Sequence, residues 1–347
     1  MNDNEFKRLA RDSERDFEYK GCIYSKDEKN RICLDEKFSR EEDIEIPEGV
    51  TEIGEYAFSR TNIRYVKLPD SLLEINECAF NLCFNLTDVK FGKGPVVIYP
   101  RAFYHCNRLA SIDLENVLWV GDYSFSDCYN LQNIKLHEGL KYIGECAFFG
   151  CYEIDKIILP ASIMSLEKGS LGHVNEIVIK GKHIPSKLLL SVSRFKEPFT
   201  YTVQAGRSKL IIPTCLNKSV YPKAIEYLSE IDMNENKTVV LYNWAETLED
   251  RQKIAYEGYE QSPDPKTKSY LRKYAINMLK QTETEEDFIS LFNGFIAKNL
   301  MTKNVAEKSL PVAQEENWTQ AAAFVLEYLK KYTKTDSQKD KNNKFNL

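Results

Sequence analysis

The sequence predicts an α+β repeat protein, in which a solenoid with a parallel sheet of strands is followed by an all-helical C-terminal region. Two observations support this fold class. Apolar residues recur every 22 or 23 residues through the middle of the 347-residue chain, and a fixed period of about 20–50 residues is typical of solenoids. From about Thr214 this period disappears, and apolar residues follow the i, i+3, i+4, i+7 spacing of helices instead.

Three apolar ladders share one register. The first ladder contains Phe58, Phe80, Phe103, Phe125, Phe148 and Leu171. The second lies five residues earlier, at Ile53, Ile75, Ile98, Val120, Ile143 and Leu166. The third marks the ends of predicted strands, at Ile46, Leu68, Phe91, Leu114, Leu136 and Leu159. One coil cannot bury its apolar face alone, so the common register predicts coils that stabilise one another by stacking.

Each repeat also contains one short alternating stretch, such as Val66-Lys67-Leu68. Alternation with period 2 predicts a half-buried strand. Neighbouring repeats then place these strands side by side in a parallel sheet. Pro47, Pro69 and Pro160 follow the strands, where a missing N–H ends the ladder at little cost.

The repeat resembles the BspA-like leucine-rich repeats, whose unit reads approximately L-x-x-I-x-I-P-x-S-V-T-x-I-G-x-x-A-F-x-G-C. The matching segments are IPEGVTEIGEYAF, LPDSLLEINECAF and HEGLKYIGECAFFGC, which begin at Ile46, Leu68 and His137. One coil departs from the unit, with Tyr99-Pro100 where glycine is usual. The resemblance covers about residues 43–182 and implies a right-handed leucine-rich-repeat solenoid, to which we assign residues 43–200. Residues 1–42 are assigned to an N-terminal helix and a hairpin similar to that of the family, which would cover the open end of the first coil.

The C-terminal part of the chain is predicted to be helical over residues 201–332. Residues 282–288 have the acidic start of a helix. Residues 310–328 resemble one ankyrin-like helix pair, with its turn at Glu316-Asn317. Two interpretations stay open for this region, a helical cap on the last coil and a separate interaction domain. The tail, residues 333–347, has no apolar pattern and is predicted to be disordered.

Composition and charge exclude several classes of protein. Hydrophobic residues make up 43% of the chain, which is ordinary for a globular protein, and no apolar run approaches the ~20 residues of a membrane helix. The net charge of −5 gives no bulk attraction for nucleic acid or an anionic membrane. Nine cysteines accompany no secretion signal, so we expect free thiols in a reducing cytoplasm.

The cysteines are predicted to be structural. Four of them, Cys83, Cys106, Cys128 and Cys151, lie three residues after a ladder phenylalanine, and Cys78 and Cys146 lie two residues before one. The spacings Cys78-x4-Cys83 and Cys146-x4-Cys151 invite a zinc site, but the repeat register already explains both. A catalytic pair of Cys106 with a histidine is conceivable, yet a buried thiol is expected to be inert.

No sequence motif of catalysis or cofactor binding is present. The chain has no phosphate-binding loop, no dinucleotide fingerprint, no nucleophile elbow and no His-Glu-x-x-His. The four histidines are scattered along the chain. We therefore expect no enzymatic activity, no metal and no cofactor.

Candidate binding residues occupy equivalent positions in adjacent coils. Val97, Trp119 and Tyr142 immediately precede the second ladder, and Tyr129 and Tyr152 continue an aromatic row that begins at Phe84 and is interrupted at Asn107. The outward strand positions include Lys67, Lys90, Asp113 and Lys135. Exposed aromatic residues bordered by charge are typical of binding hot spots. A structural interpretation of Trp119 and Tyr142 stays equally open, in which they cover the coil edges or pack under the helical region.

These observations predict a non-catalytic scaffold that binds another protein or a peptide through the repeat surface. The alternative is a carbohydrate-binding module that uses the exposed aromatic rows. The resemblance implies interaction functions, often at cell surfaces, in bacteria or protists. We expect a cytoplasmic monomer without nucleic-acid binding or membrane insertion, and association with the cell surface if the natural chain is longer.

Overall fold

The chain folds as two units, Met1–Lys237 and Thr238–Leu347. The computed structural model describes residues 3–13, 15–29, 31–37, 40–192, 200–217 and 219–343. Within these ranges, no helix is both long enough and apolar enough to span a bilayer.

The first unit is built mainly from short strands. The strands are β1 (Phe17–Tyr19), β2 (Cys22–Lys26), β3 (Ile32–Lys37), β4 (Asp43–Glu45), β5 (Val50–Ile53), β6 (Tyr65–Lys67), β7 (Glu74–Ile75), β8 (Asp88–Lys90), β9 (Val96–Ile98), β10 (Ser111–Leu114), β11 (Val117–Val120), β12 (Asn133–Leu136), β13 (Tyr142–Ile143), β14 (Lys156–Leu159), β15 (Ser165–Leu166), β16 (Glu176–Ile179), β17 (Thr200–Ala205) and β18 (Ser208–Pro213). The helices are α1 (Asp3–Asp12), α2 (Leu188–Ser191) and α3 (Tyr221–Ser229). Most coils contribute two strands, one to each side of a parallel solenoid.

One side of the solenoid is a continuous sheet. Its strand order is β1-β2-β3-β5-β7-β9-β11-β13-β15, and every pair from β3 to β15 is parallel. The antiparallel hairpin of β1 and β2 pairs through β3 with the first coil. The hairpin lies within the residues that the sequence assigns to an N-terminal hairpin, and it extends the sheet beyond the first coil. The strand that each coil adds here was not predicted, because it is only two to four residues long.

The other side of the solenoid is divided into shorter sheets. The predicted alternating stretches form strands, and they pair in the groups β4-β6-β8, β10-β12 and β14-β16-β17-β18. The ladder is interrupted between β8 and β10 and again between β12 and β14. At the first interruption Phe91 is only half-buried, while the other members of its ladder are buried.

The phenylalanine ladder forms the centre of the solenoid core. All of its members have no exposed surface. The phenyl rings stack in sequence, with centroid distances of 4.8 Å for Phe58–Phe80, 4.9 Å for Phe80–Phe103, 5.1 Å for Phe103–Phe125 and 5.4 Å for Phe125–Phe148. Each phenylalanine N–H also donates to a carbonyl of the next coil, for example Phe103 N to Ser124 O at 2.7 Å. The predicted register of stacked coils is therefore confirmed.

The strands continue further along the chain than the period suggested. β17 and β18 fall within residues 201–332, which were predicted to be helical. The prediction failed there because it relied on the loss of the 23-residue period, whereas Thr200–Ala205 alternates buried and half-buried residues with period 2. Gly206, with φ of +59°, allows the turn into β18.

The second unit is mainly helical. Its elements are β19 (Thr238–Val240), a 3₁₀ turn (Tyr242–Trp244), α4 (Leu248–Gly258), α5 (Pro265–Lys280), α6 (Glu285–Ala297), α7 (Lys303–Glu315) and α8 (Thr319–Asn343). Side-chain oxygens of Thr247, Asp264, Thr284 and Thr302 accept backbone N–H bonds at the starts of α4 to α7. The acidic helix start and the turn at Glu316-Asn317 lie where the sequence placed them.

The last helix extends into the tail. α8 is helical as far as Asn343, and the disorder expected for residues 333–347 stays a prediction from the sequence. This stretch contains no glycine and no proline that would end a helix. The last predicted residues, 344–347, lie outside the described part of the chain.

Candidate binding surface

Trp119 and Tyr142 form a stacked pair on the continuous sheet. They are direct partners in the pairing of β11 with β13. Their ring centroids lie 3.8 Å apart with 19° between the planes. Trp119 is 43% exposed and Tyr142 is half-buried. Val97 is the partner of Trp119 on the opposite side, so the three predicted residues form one row across adjacent strands.

Further apolar side chains are exposed on the coils that carry this pair and on neighbouring coils. Met164 is 68% exposed, and Leu73, Tyr99 and Leu118 are each exposed by 38–39%. In β11 the burial pattern is buried, exposed, exposed, buried, so Leu118 and Trp119 both face solvent. We call Leu73, Val97, Tyr99, Leu118, Trp119, Tyr142 and Met164 the aromatic patch. Sequence analysis missed four of these residues, although the apolar Leu118-Trp119 dipeptide was a visible signal.

Carboxylates lie around the aromatic patch. Burial raises the pKa of the Tyr142 hydroxyl to about 12, and the negative charges of Glu167, Asp122 and Glu145 add to the effect. In the row that contains Val97, the two preceding positions are Glu52 and Glu74, which are partners in adjacent strands. Two of these carboxylates are already ion-paired, Glu52 with Arg31 and Glu167 with Lys187, so the patch combines exposed apolar residues with a partly compensated acidic border.

The second predicted aromatic row is also exposed. Tyr129 and Tyr152 are stacked with centroids 6.3 Å apart, and Phe84, Tyr129 and Tyr152 are exposed by 51%, 41% and 60%. The ring of His173 lies 4.9 Å from that of Tyr152. These rings lie further apart than the rings of Trp119 and Tyr142. The row is interrupted at Asn107, as the sequence indicated.

The charged strand positions pair with one another across the coils. Lys135 lies 3.3 Å from Asp113, whose other oxygen is 2.6 Å from Nε2 of His137. Lys67 lies 3.5 Å from Glu45. Exposed ion pairs of this kind contribute little stability, about 0–1 kcal/mol. They do reduce the charge that Lys67, Asp113 and Lys135 offer a partner, whereas Lys90 is exposed without an ion pair to any described residue.

The ladder cysteines link successive coils. Each thiol donates to the carbonyl oxygen of the ladder phenylalanine one repeat earlier. The S···O distance is 3.0 Å for Cys83 and 3.1–3.2 Å for Cys106, Cys128 and Cys151. The nine cysteines are all free. In the described part of the chain, no three His, Cys, Asp or Glu side chains are placed to hold one metal ion.

We expect Cys83, Cys106, Cys128 and Cys151 to resist alkylation by iodoacetamide in the folded protein. They are fully buried, so the reagent cannot reach them. Burial also raises the pKa of the Cys83 thiol to about 11 and that of Cys106 well above its usual range. Burial acts in the same direction on Cys128, but hydrogen bonds with Cys106 and Cys151 lower the pKa of that thiol, so its protection depends on burial alone. Peptide mapping by mass spectrometry measures the modified fraction of each cysteine, with half-buried Cys215 as the internal control. Equal modification of Cys106 and Cys215 would contradict the buried ladder.

The same shift has a consequence for stability. The pKa of the Cys83 thiol is 9.0 in the unfolded chain, and burial raises it to about 11 in the folded protein. Above pH 9 the unfolded state therefore loses a proton that the folded state retains, and the free energy of unfolding falls as the pH rises. Below pH 9 the Cys83 thiol is protonated in both states, so its ionisation does not lower the free energy of unfolding there.

Comparison with known families decides the class of the repeats. Residues 36–119 and 96–188 match the BspA type leucine rich repeat region, in six copies. The repeat region is a BspA-type leucine-rich repeat array. Repeats of this family suggest a protein-binding scaffold. No curated protein matches the chain.

Several solved structures of leucine-rich repeat and related bacterial proteins resemble part of this chain. A leucine-rich repeat protein from Bacteroides capillosus is 25% identical and covers 36% of this chain and 99% of its own, with a TM-score of 0.33. The pneumococcal vaccine antigen PcpA is 20% identical over 49% of this chain and 52% of its own, with a TM-score of 0.42. The leucine-rich repeat protein of T. pallidum is 19% identical over 48% and 86%, with a TM-score of 0.34.

Proposed function

We propose that the chain is a non-catalytic scaffold that binds another protein or a peptide through the aromatic patch of its leucine-rich repeat array. The observation that carries this proposal is the stacked pair of Trp119 and Tyr142, which is exposed within an apolar area on a continuous sheet. Large aromatic side chains in such a setting supply most of the binding energy in many protein interfaces.

The rigidity of the pair supports this role. Each ring limits the motion of the other, and the strands that carry them are hydrogen-bonded to neighbours on both sides. Ordered side chains lose little conformational entropy on binding, so more of the contact energy contributes to affinity. The strand face of the array is a weaker candidate, because the predicted residues Lys67, Asp113 and Lys135 already form ion pairs within the chain.

The carbohydrate-binding alternative is not favoured. It rests on the exposed rings alone, while the family of the repeats suggests protein binding. Absence of catalysis is part of the proposal, and it is supported by the burial of the ladder cysteines and by the general use of such repeats as scaffolds. The cytoplasmic location stays a prediction from the sequence.

The double variant Trp119→Ala/Tyr142→Ala is expected to lose a partner that the wild-type protein captures from a lysate of the source organism. Loss of two central aromatic residues commonly costs at least about 2 kcal/mol of binding energy, a factor of about 30 in affinity. The captured protein is identified by mass spectrometry, purified, and its affinity for each variant is measured by calorimetry.

The matched control is Tyr129→Ala/Tyr152→Ala, which removes two stacked aromatic residues from the other row. It should retain the partner. Thermal melting of both variants shows whether each is folded. If the control loses the partner and the Trp119 variant keeps it, the binding surface lies on the Tyr129 row and the proposal is wrong.

A further inference from the structure

The row that carries the aromatic pair contains a notch. Across adjacent parallel strands its members are Glu52, Glu74, Val97, Trp119 and Tyr142. Strands in a sheet lie about 4.8 Å apart, so the Glu74 and Trp119 positions are separated by about 10 Å, with Val97 between them. Valine is short, and it leaves a gap between the two longer side chains.

One face of Trp119 borders this notch. A centroid distance of 3.8 Å between Trp119 and Tyr142 is van der Waals contact, so the two rings lie face to face along the direction of the row. Tyr142 covers one face of the indole, and the opposite face is directed to the Val97 side. Trp119 remains 43% exposed in this arrangement. Tyr99, which directly follows the end of β9, is also exposed.

The charge at the far side of the notch is negative. Glu52 and Glu74 are direct neighbours of like charge, an arrangement that is unfavourable unless cations compensate it. Arg31 lies 2.8 Å from both Glu52 and Asp27. Arg31 is close enough to Glu74 for the two charges to interact, but among the residues that the structure describes Glu74 makes no direct ion pair. An aromatic face opposite such a carboxylate is complementary to an organic cation.

We propose that this notch binds the guanidinium group of an arginine side chain of the partner, which stacks on the free face of Trp119 and pairs with the carboxylate of Glu74. The inference rests on the function proposed above and names the chemistry of the partner. Arginine fits better than lysine, because its planar group can stack on a ring and donate two hydrogen bonds to a carboxylate at the same time. The arginine side chain is also long enough to reach Val97 between Glu74 and Trp119.

The test uses N-acetyl-arginine methylamide as the probe and the neutral citrulline analogue as its control. Both are titrated into the millimolar range with the ¹⁵N-labelled full chain, and the indole Nε1–H signal of Trp119 is followed by NMR. We expect a saturable shift with arginine only. Glu74→Gln should weaken it by about fivefold, and sodium chloride should weaken it further. Glu55→Gln, an exposed acid in the next turn, should leave it unchanged.

Two outcomes would show that the notch is not an arginine site. Either the Trp119 signal does not move, or arginine and citrulline move it equally. If the partner is still lost in the Trp119→Ala/Tyr142→Ala variant, the docking surface stands and only its arginine specificity is wrong. If arginine binds as expected but that variant retains its partner, the notch is a cation site and the proposed docking surface is wrong.

Discussion

Replacing Phe103 by alanine lowers the free energy of unfolding by about 3–5 kcal/mol. The side chain has no exposed surface, and its ring stacks on Phe80 and Phe125 at 4.9 and 5.1 Å. Alanine loses the buried area and leaves a cavity in the middle of the ladder, where coils on both sides hold their positions. Urea unfolding followed by circular dichroism measures the change.

The control for Phe103 is Phe84→Ala. Phe84 is 51% exposed, and its loss should change stability by less than about 1 kcal/mol. If both variants lower the free energy of unfolding by similar amounts, the Phe103 ring stabilises the protein no more than the exposed Phe84 ring does, and the stacked core is contradicted. Because the ladder continues through neighbouring coils, the transition of the Phe103 variant also shows whether the array still unfolds in one step.

Gly121→Ala is expected to destabilise the protein by about 1–3 kcal/mol. A methyl group at Gly121 would lie 2.7 Å from the carbonyl carbon of Tyr99 and 2.8 Å from Ile98 O. Both are backbone atoms of the preceding coil, so no side chain can rotate away and the coils must separate. Thermal and urea unfolding measure the loss.

Gly181→Ala is the matched control. A methyl group there would meet its nearest atom, the Cα of Ala161, at 3.4 Å, which is ordinary van der Waals contact. The same substitution should therefore change stability little. If Gly121→Ala is as stable as Gly181→Ala, the close approach of the coils at Gly121 is wrong.

The core of the solenoid could be predicted because its residues repeat. Phe58 and its equivalents recur with one register, and each copy supports the others. The strands β7, β13 and β15 could not be predicted from alternation, since two residues are too few to show a period. Their existence depends on pairing between coils, which only the folded register provides.

Part of the binding surface could also be predicted from the repeat. Trp119 and Tyr142 share a repeat position, so their proximity followed from the register. Leu118 breaks the alternation of β11 because it is exposed next to exposed Trp119, which a period-2 pattern does not anticipate. The ion pair between Lys135 and Asp113 likewise depends on side-chain conformations that the spacing of the residues does not determine.

The unequal sides of the solenoid give it a direction of least mechanical resistance. Hydrogen bonds join the coils without interruption along the sheet from β3 to β15, but the opposite strand ladder stops between β8 and β10 and between β12 and β14. Bending that opens the interrupted side stretches no strand pairs at those two places. Trp119 and Tyr142 lie on the side whose strand pairs are continuous, so bending of this kind would leave the pairing of their strands intact.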